Sequence, residues 1–128
     1  MTDRRNDRRF SAIIAGEDVP AACRLGRLLA TLDVMVAGIA DSLAAGLALL
    51  AVKPEIVFLL VRSGREYSGF EIGRNAIARG IGVVYLGEAA ASPAFDSLLA
   101  AVPAARRLST PACPEALAAV VAACRSER

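Results

Sequence analysis

The sequence predicts a doubly wound α/β fold: a five-stranded parallel sheet in the order 2-1-3-4-5, with five helices on its two faces. Three observations carry this. The stretch Lys53 to Val61, KPEIVFLLV, holds the uninterrupted apolar run Ile56 to Leu60 behind Pro54, which blocks a helix arriving from the N-terminal side. A run of that length reads as a central strand buried on both faces. Shorter apolar runs alternate along the chain with stripes of helical spacing, and the right-handed crossover rule leaves one economical arrangement for such alternation.

Taken in order, Met1 to Phe10 is almost wholly polar, with Arg4, Arg5, Arg8 and Arg9 offset by Asp3 and Asp7. Residues 1–10 are therefore expected to form a disordered basic arm, and 11–126 a single domain. SAIIAG, from Ser11, is a first buried strand that closes at the acidic pair Glu17 and Asp18. Pro20 suits the first turn of a helix whose Leu25, Leu28, Leu29 and Leu32 make one apolar stripe. Val34 to Ala40 is the second strand, after which Asp41 or Ser42 caps a helix with Leu43, Leu47 and Leu50 facing inward. Beyond the central strand, Arg62 to Ser68 is a polar loop, and Gly69 to Ala78 is a third helix resting on Phe70, Ile72 and Ile77. Gly80 ends it in the left-handed region. Ile81 to Leu86 is the fourth strand, Ser92 and Pro93 open a fourth helix, and Ala105 to Ser109 is a short fifth strand. The last helix starts near Pro114 and Glu115 and turns Leu117, Val120, Val121 and Cys124 inward.

Composition excludes several classes of function. The 15 basic and 13 acidic residues leave a net charge of +2, which gives no ground for a nucleic-acid or membrane partner. The apolar content of 55% comes from alanine-rich helices and buried strands, because Asp33, Asp41, Lys53 and Glu55 interrupt every stretch that could span a bilayer. The polar N-terminus lacks a signal-peptide core, so the expected location is the cytoplasm. There is no histidine, which removes His-based acid/base catalysis and Ser-His or Cys-His nucleophiles. Cys23, Cys113 and Cys124 have no paired spacing, so neither zinc nor a disulfide framework is expected. Cys23 and Cys124 read as core, and Cys113, near the start of the last helix, reads as inert.

In the order 2-1-3 the ends of strands one and three adjoin at the switch point, where such sheets bind ligands. Glu17, Asp18 and Leu60 should meet there. The central strand thus ends in Leu60 and Val61, which can neither ionise, attack nor bind metal. No Walker loop, GxGxxG turn or GxSxG elbow occurs.

Several motifs then fall in a telling order: IIAGEDVP, KPEIVFLLV, SGFEIGR, GIGVVYLG and STPACPEAL. Together, over Ser11 to Arg125, they resemble a bacterial response-regulator receiver domain of the chemotaxis-regulator type, a flavodoxin-like fold. In active receivers the first-strand carboxylates and a third-strand aspartate hold magnesium, and the aspartate takes a phosphoryl group from a histidine kinase. The resemblance puts Leu60 at the aspartate's place, Gly87 where a threonine or serine contacts the phosphoryl, and Thr110 where a lysine stands. It puts Arg107 at the switch aromatic on strand five. Leucine offers no nucleophilic oxygen, so ordinary aspartyl phosphorylation at this position is chemically impossible.

The resemblance therefore implies a stand-alone pseudo-receiver of two-component signal transduction, not an enzyme, that acts by protein contact without aspartyl phosphorylation at the usual site. Its partner would be a histidine kinase or output protein, with a homodimer as a further option. The family's contact surface corresponds here to Phe95, Asp96, Arg106, Arg107 and Glu115. No cofactor is expected, and magnesium at Glu17 and Asp18 would be held weakly without a third ligand. Two other roles stay open for the vacated crevice. Arg107 could reach the acidic pair and offset its repulsion, or Arg62, Arg65 and Arg107 could make the crevice a sensor for a small anion or nucleotide. The loop Arg62 to Tyr67 would be a recognition loop or a solvated connection.

Overall fold

The computed structural model describes residues 10–60, 69–87, 106–108 and 114–126. Five parallel strands, β1 (Phe10–Ala15), β2 (Val34–Ala40), β3 (Ile56–Leu60), β4 (Gly82–Leu86) and β5 (Arg106–Leu108), form one sheet in the order β2-β1-β3-β4-β5. Four α-helices are described: α1 (Val19–Thr31), α2 (Leu43–Leu49), which runs into a 3-10 turn (Leu50–Val52), α3 (Gly69–Ala78) and α4 (Pro114–Ser126). The expected fourth helix from Ser92 and the loop from Arg62 to Tyr67 lie outside the described residues, as does the arginine arm.

The two-residue period of the strands sorts their side chains into two cores. Phe10, Ala12 and Ile14 of β1, with Ile56, Phe58 and Leu60 of β3, pack under Leu25 and Leu29 of α1 and Leu117, Val121 and Cys124 of α4. Ile13, Val57, Leu59, Val83 and Tyr85 face the other way, onto Leu50, Ile72 and Ala76. Every residue of β3 is buried, so each of its large side chains contributes about 1.5–3 kcal/mol of burial. That is why the run reads so clearly as a central strand.

Local signals set most boundaries. The Asp18 carboxylate accepts from the Ala21 N–H at 3.0 Å and starts α1, with Pro20 in its first turn. The Ser42 hydroxyl accepts from the Ala45 N–H at 3.2 Å and starts α2, so of the two predicted caps it is Ser42 that serves. Gly80 has φ +78° just beyond α3, in the region its missing Cβ allows.

Three expectations are corrected. Phe10 belongs to β1 and not to the arm: its ring is buried, and the Arg125 guanidinium of α4 lies 5.2 Å from the ring centroid. Cys23 is exposed, because the buried stripe of α1 runs through Ala22, Leu25 and Leu29 and leaves position 23 on the flank. Leu43 is also exposed, since it opens the first turn of α2 at the rim of the sheet. No helix among the described residues is long and apolar enough to cross a membrane.

Candidate functional site

The carboxyl ends of β1, β3 and β4 bring the predicted positions together. Ala15 pairs with Leu59, and Leu60 pairs with Leu86, so Gly16, Leu60 and Gly87 stand at one edge of three adjacent strands. Leu60 is only 9% exposed. Its side chain leans over Gly16, where an added Cβ would lie 2.7 Å from the Leu60 Cβ. The chain at Gly16 is held in place, its N–H donating to the Ala40 carbonyl at 2.9 Å. An apolar side chain packed on bare backbone thus closes the crevice at the carboxyl end of β3. Sequence reasoning missed Gly16. Its only signal was a glycine at a strand end with no turn motif around it.

Gly87 donates its N–H to the Leu108 carbonyl at 3.1 Å and has φ +146°. Residues with a Cβ seldom adopt that conformation. The position lacks a hydroxyl, and its backbone also departs from one that a serine or threonine would take up easily.

The acidic pair is split between two tasks. Asp18 caps α1 with one carboxylate oxygen, while Glu17 is exposed and lines a pocket of about 260 Å³ with Asp41, Ser42, Leu43 and Ile72. The structure therefore groups Glu17 with Asp41, from the end of β2, which the sequence reading had considered only as a cap. Leu60 supplies no metal ligand, and one oxygen of Asp18 is committed to the helix, so a magnesium ion here would have few protein carboxylate oxygens and would keep most of its shell as water. No group of three or more acidic or cysteine side chains converges among the described residues.

Of the remaining predicted positions, Thr110, Phe95, Asp96, Arg62, Arg65 and Cys113 lie outside the described residues. Arg107 is the central residue of β5 and pairs with Tyr85. Its backbone is separated from β1 by β3 and β4, three strand spacings or about 14 Å. Arg106 is not laid out on the surface: it is half-buried, and its Nη1 donates to the Cys124 sulfur at 3.5 Å. Glu115 is exposed in the first turn of α4. Beneath the site, burial pushes the Tyr85 phenol up to about 12, with Arg74 opposing the shift.

No protein-family model matches the chain, and no curated protein does. Solved structures do. A response-regulator receiver domain protein from Clostridium thermocellum superposes with a TM-score of 0.74 at 18% identity, covering 91% of this chain and 94% of that one. A DNA-binding response regulator of the LuxR family from Staphylococcus aureus gives 0.76 at 15%, covering 90% and 98%. The Vibrio cholerae chemotaxis protein CheY4 gives 0.72 at 17%, covering 88% and 96%. The chain thus has the flavodoxin-like α/β fold with a parallel sheet, and its structural neighbours are response-regulator receiver domains.

Proposed function

We propose that this protein is a pseudo-receiver: a receiver-like scaffold of two-component signalling that works by protein contact and takes no phosphoryl group at the usual site. The observation that carries this reading is Leu60, an apolar, buried side chain at the exit of β3, closed onto Gly16. Phosphoryl transfer to that position would need an oxygen nucleophile and a metal to offset charge on the moving group. The chain offers a hydrocarbon instead, beside a glycine at position 87 and an aspartate used as a cap. The likeness to receiver domains supports the pathway through the fold alone.

The alternative, a small-anion or nucleotide sensor in the vacated crevice, has less support. Glu17 and Asp41 line the pocket at this edge, and their carboxylates repel an anion. The test is a titration with beryllofluoride and magnesium, following the amide resonances of Glu17, Asp18, Leu60 and Gly87. The expected result is no saturable shift, together with capture of a kinase or output protein by the tagged chain. Saturable shifts at that cluster would return phosphotransfer as the leading function.

A further inference from the structure

At the opposite edge of the sheet, where β3 and β4 begin, a second pocket of about 340 Å³ lies between the two loops that feed these strands. Its floor is apolar: Leu50 and Pro54 are buried, and Ile81 is 6% exposed. Each loop contributes one cation to the lining, Lys53 from the first and Arg79 from the second, and no acidic residue lines the pocket among the described residues. The carboxylate of Glu55, two residues beyond Lys53, is engaged elsewhere, accepting the Ser11 N–H at 3.0 Å. Neither cationic side chain makes a hydrogen bond or ion pair among the described residues.

The loops are also fixed before any ligand arrives. Lys53 sits in the left-handed region at φ 58° and donates its N–H to the Leu50 carbonyl at 3.0 Å. Gly80 is at φ +78° with its N–H on the Ile77 carbonyl, and the Ile81 N–H is held by the Ala76 carbonyl at 2.9 Å. A lysine with positive φ is uncommon, and here that backbone places a cation directly before Pro54. Both residues stand at helix C-termini, where a cation is favoured by the dipole. That alone would explain a basic residue on each loop. It does not explain a pocket of small-ligand size between them, apolar at its base.

We infer that this pocket binds a small amphiphilic organic anion, with a carboxylate or phosphate head between Lys53 and Arg79 and a short apolar body over Leu50, Pro54 and Ile81. A guanidinium offers a fixed fork of donors to such a head, and the lysine adds a point charge. The inference does not rest on the reading of the crevice, which lies at the other edge of the sheet.

The test uses the full chain, labelled for amide resonances, and two probes, hexanoate and phenyl phosphate, with hexanol and inorganic phosphate as partial ligands. Saturable shifts at Leu50 to Lys53 and Arg79 to Ile81 are expected with at least one probe, and the two heads distinguish a carboxylate from a phosphate ligand. Lys53→Gln and Arg79→Gln should each weaken binding about tenfold, with the thermal midpoint recorded for each variant to separate affinity from the helix-dipole contribution. The inference is overturned if neither probe shifts these amides or if the doubly substituted protein binds as the parent does. It is equally overturned if hexanol or inorganic phosphate alone binds as tightly as the probes, or if the shifts fall at Gly16 and Glu17 instead.

Discussion

Gly16→Ala probes the closure of the crevice directly. The added Cβ would lie 2.7 Å from the Leu60 Cβ and 3.3 Å from its Cγ and Cδ1, against about 3.5–4.0 Å for carbon atoms at contact. Roughly 1 Å must be found. No rotamer change of Leu60 supplies it, because the atom struck is the Cβ, whose position the backbone fixes. The strands resist parting as well, with Gly16 bonded to Ala40 on one side and Ala15 paired with Leu59 on the other. Overpacking of this kind costs about 1–3 kcal/mol, which for a chain of this size lowers the midpoint by about 4–12 °C. Thermal and urea denaturation followed by circular dichroism measure it. The pattern across double variants is the sharper check: Leu60→Ala should add its own loss to that of Gly16→Ala, since alanine keeps the Cβ, whereas Leu60→Gly should partly relieve it. A Gly16→Ala midpoint within about 1 °C of the parent would refute the close approach of β1 and β3, and with it the closed crevice.

Three further outcomes follow from single contacts. Asp18→Ala should cost about 0.5–2 kcal/mol in chemical denaturation, while Asp18→Asn, which keeps the accepting oxygen, should cost far less; equal losses would show that charge and not capping is at stake. Tyr85 has its phenol raised by burial to about 12 from 10.0, so the folded state holds its proton where the unfolded state releases it. Stability should be full below pH 10 and fall between about pH 10 and 12, by roughly 2–3 kcal/mol in all; Tyr85→Phe should remove that slope, and an unchanged slope would assign it elsewhere. A Cβ at Gly73 would overlap the Tyr85 hydroxyl and lie 3.2 Å from its Cζ. Gly73→Ala should therefore cost about 1–3 kcal/mol, most of it recovered in combination with Tyr85→Phe, as denaturation midpoints would show.

The central strand was legible because burial on both faces writes itself as a run, Ile56 to Leu60. Val34 to Ala40 also has the limits its apolar pattern predicts, although it is an edge strand that leaves Met35 and Ile39 exposed. What stayed hidden depends on neighbours remote in the chain. Phe10 looked like the end of a polar arm until Arg125, on the last helix, was seen over its ring. Cys23 sits one position from a buried alanine, and a stripe inferred from leucines alone cannot say on which side of its edge a small residue falls. In the site, the apolar residue at the exit of β3, Leu60, was readable from one letter, but its packing on Gly16 was not, because the two are separated by a helix, a strand and another helix. Asp41 was hidden for the same reason: its link to Glu17 exists only because β2 lies beside β1.

On the pseudo-receiver reading proposed above, the hydrocarbon at the exit of β3 leaves no phosphoryl transfer at that position to drive a change of state. Any switching must then come from a ligand or partner that binds two conformations unequally, and can be no larger than that difference. The two edges of the sheet are suited to such coupling, because β3 and β4 run from the Lys53 and Arg79 loops straight to Leu60 and Gly87. A tenfold preference for one state is about 1.4 kcal/mol, within the range assigned to the contact of Leu60 with position 16. If an anion at the entry of these strands is linked to the exit, the amides of Leu60 and Gly87 must move on saturation, and Gly16→Ala, which overpacks the exit, must change the affinity at the entry by the same free energy by which the bound anion changes the stability cost of that substitution. Shifts confined to Leu50 to Lys53 and Arg79 to Ile81, with unchanged affinity in the Gly16 variant, would make the entry pocket a binding site without a switch and leave the scaffold with one fixed conformation.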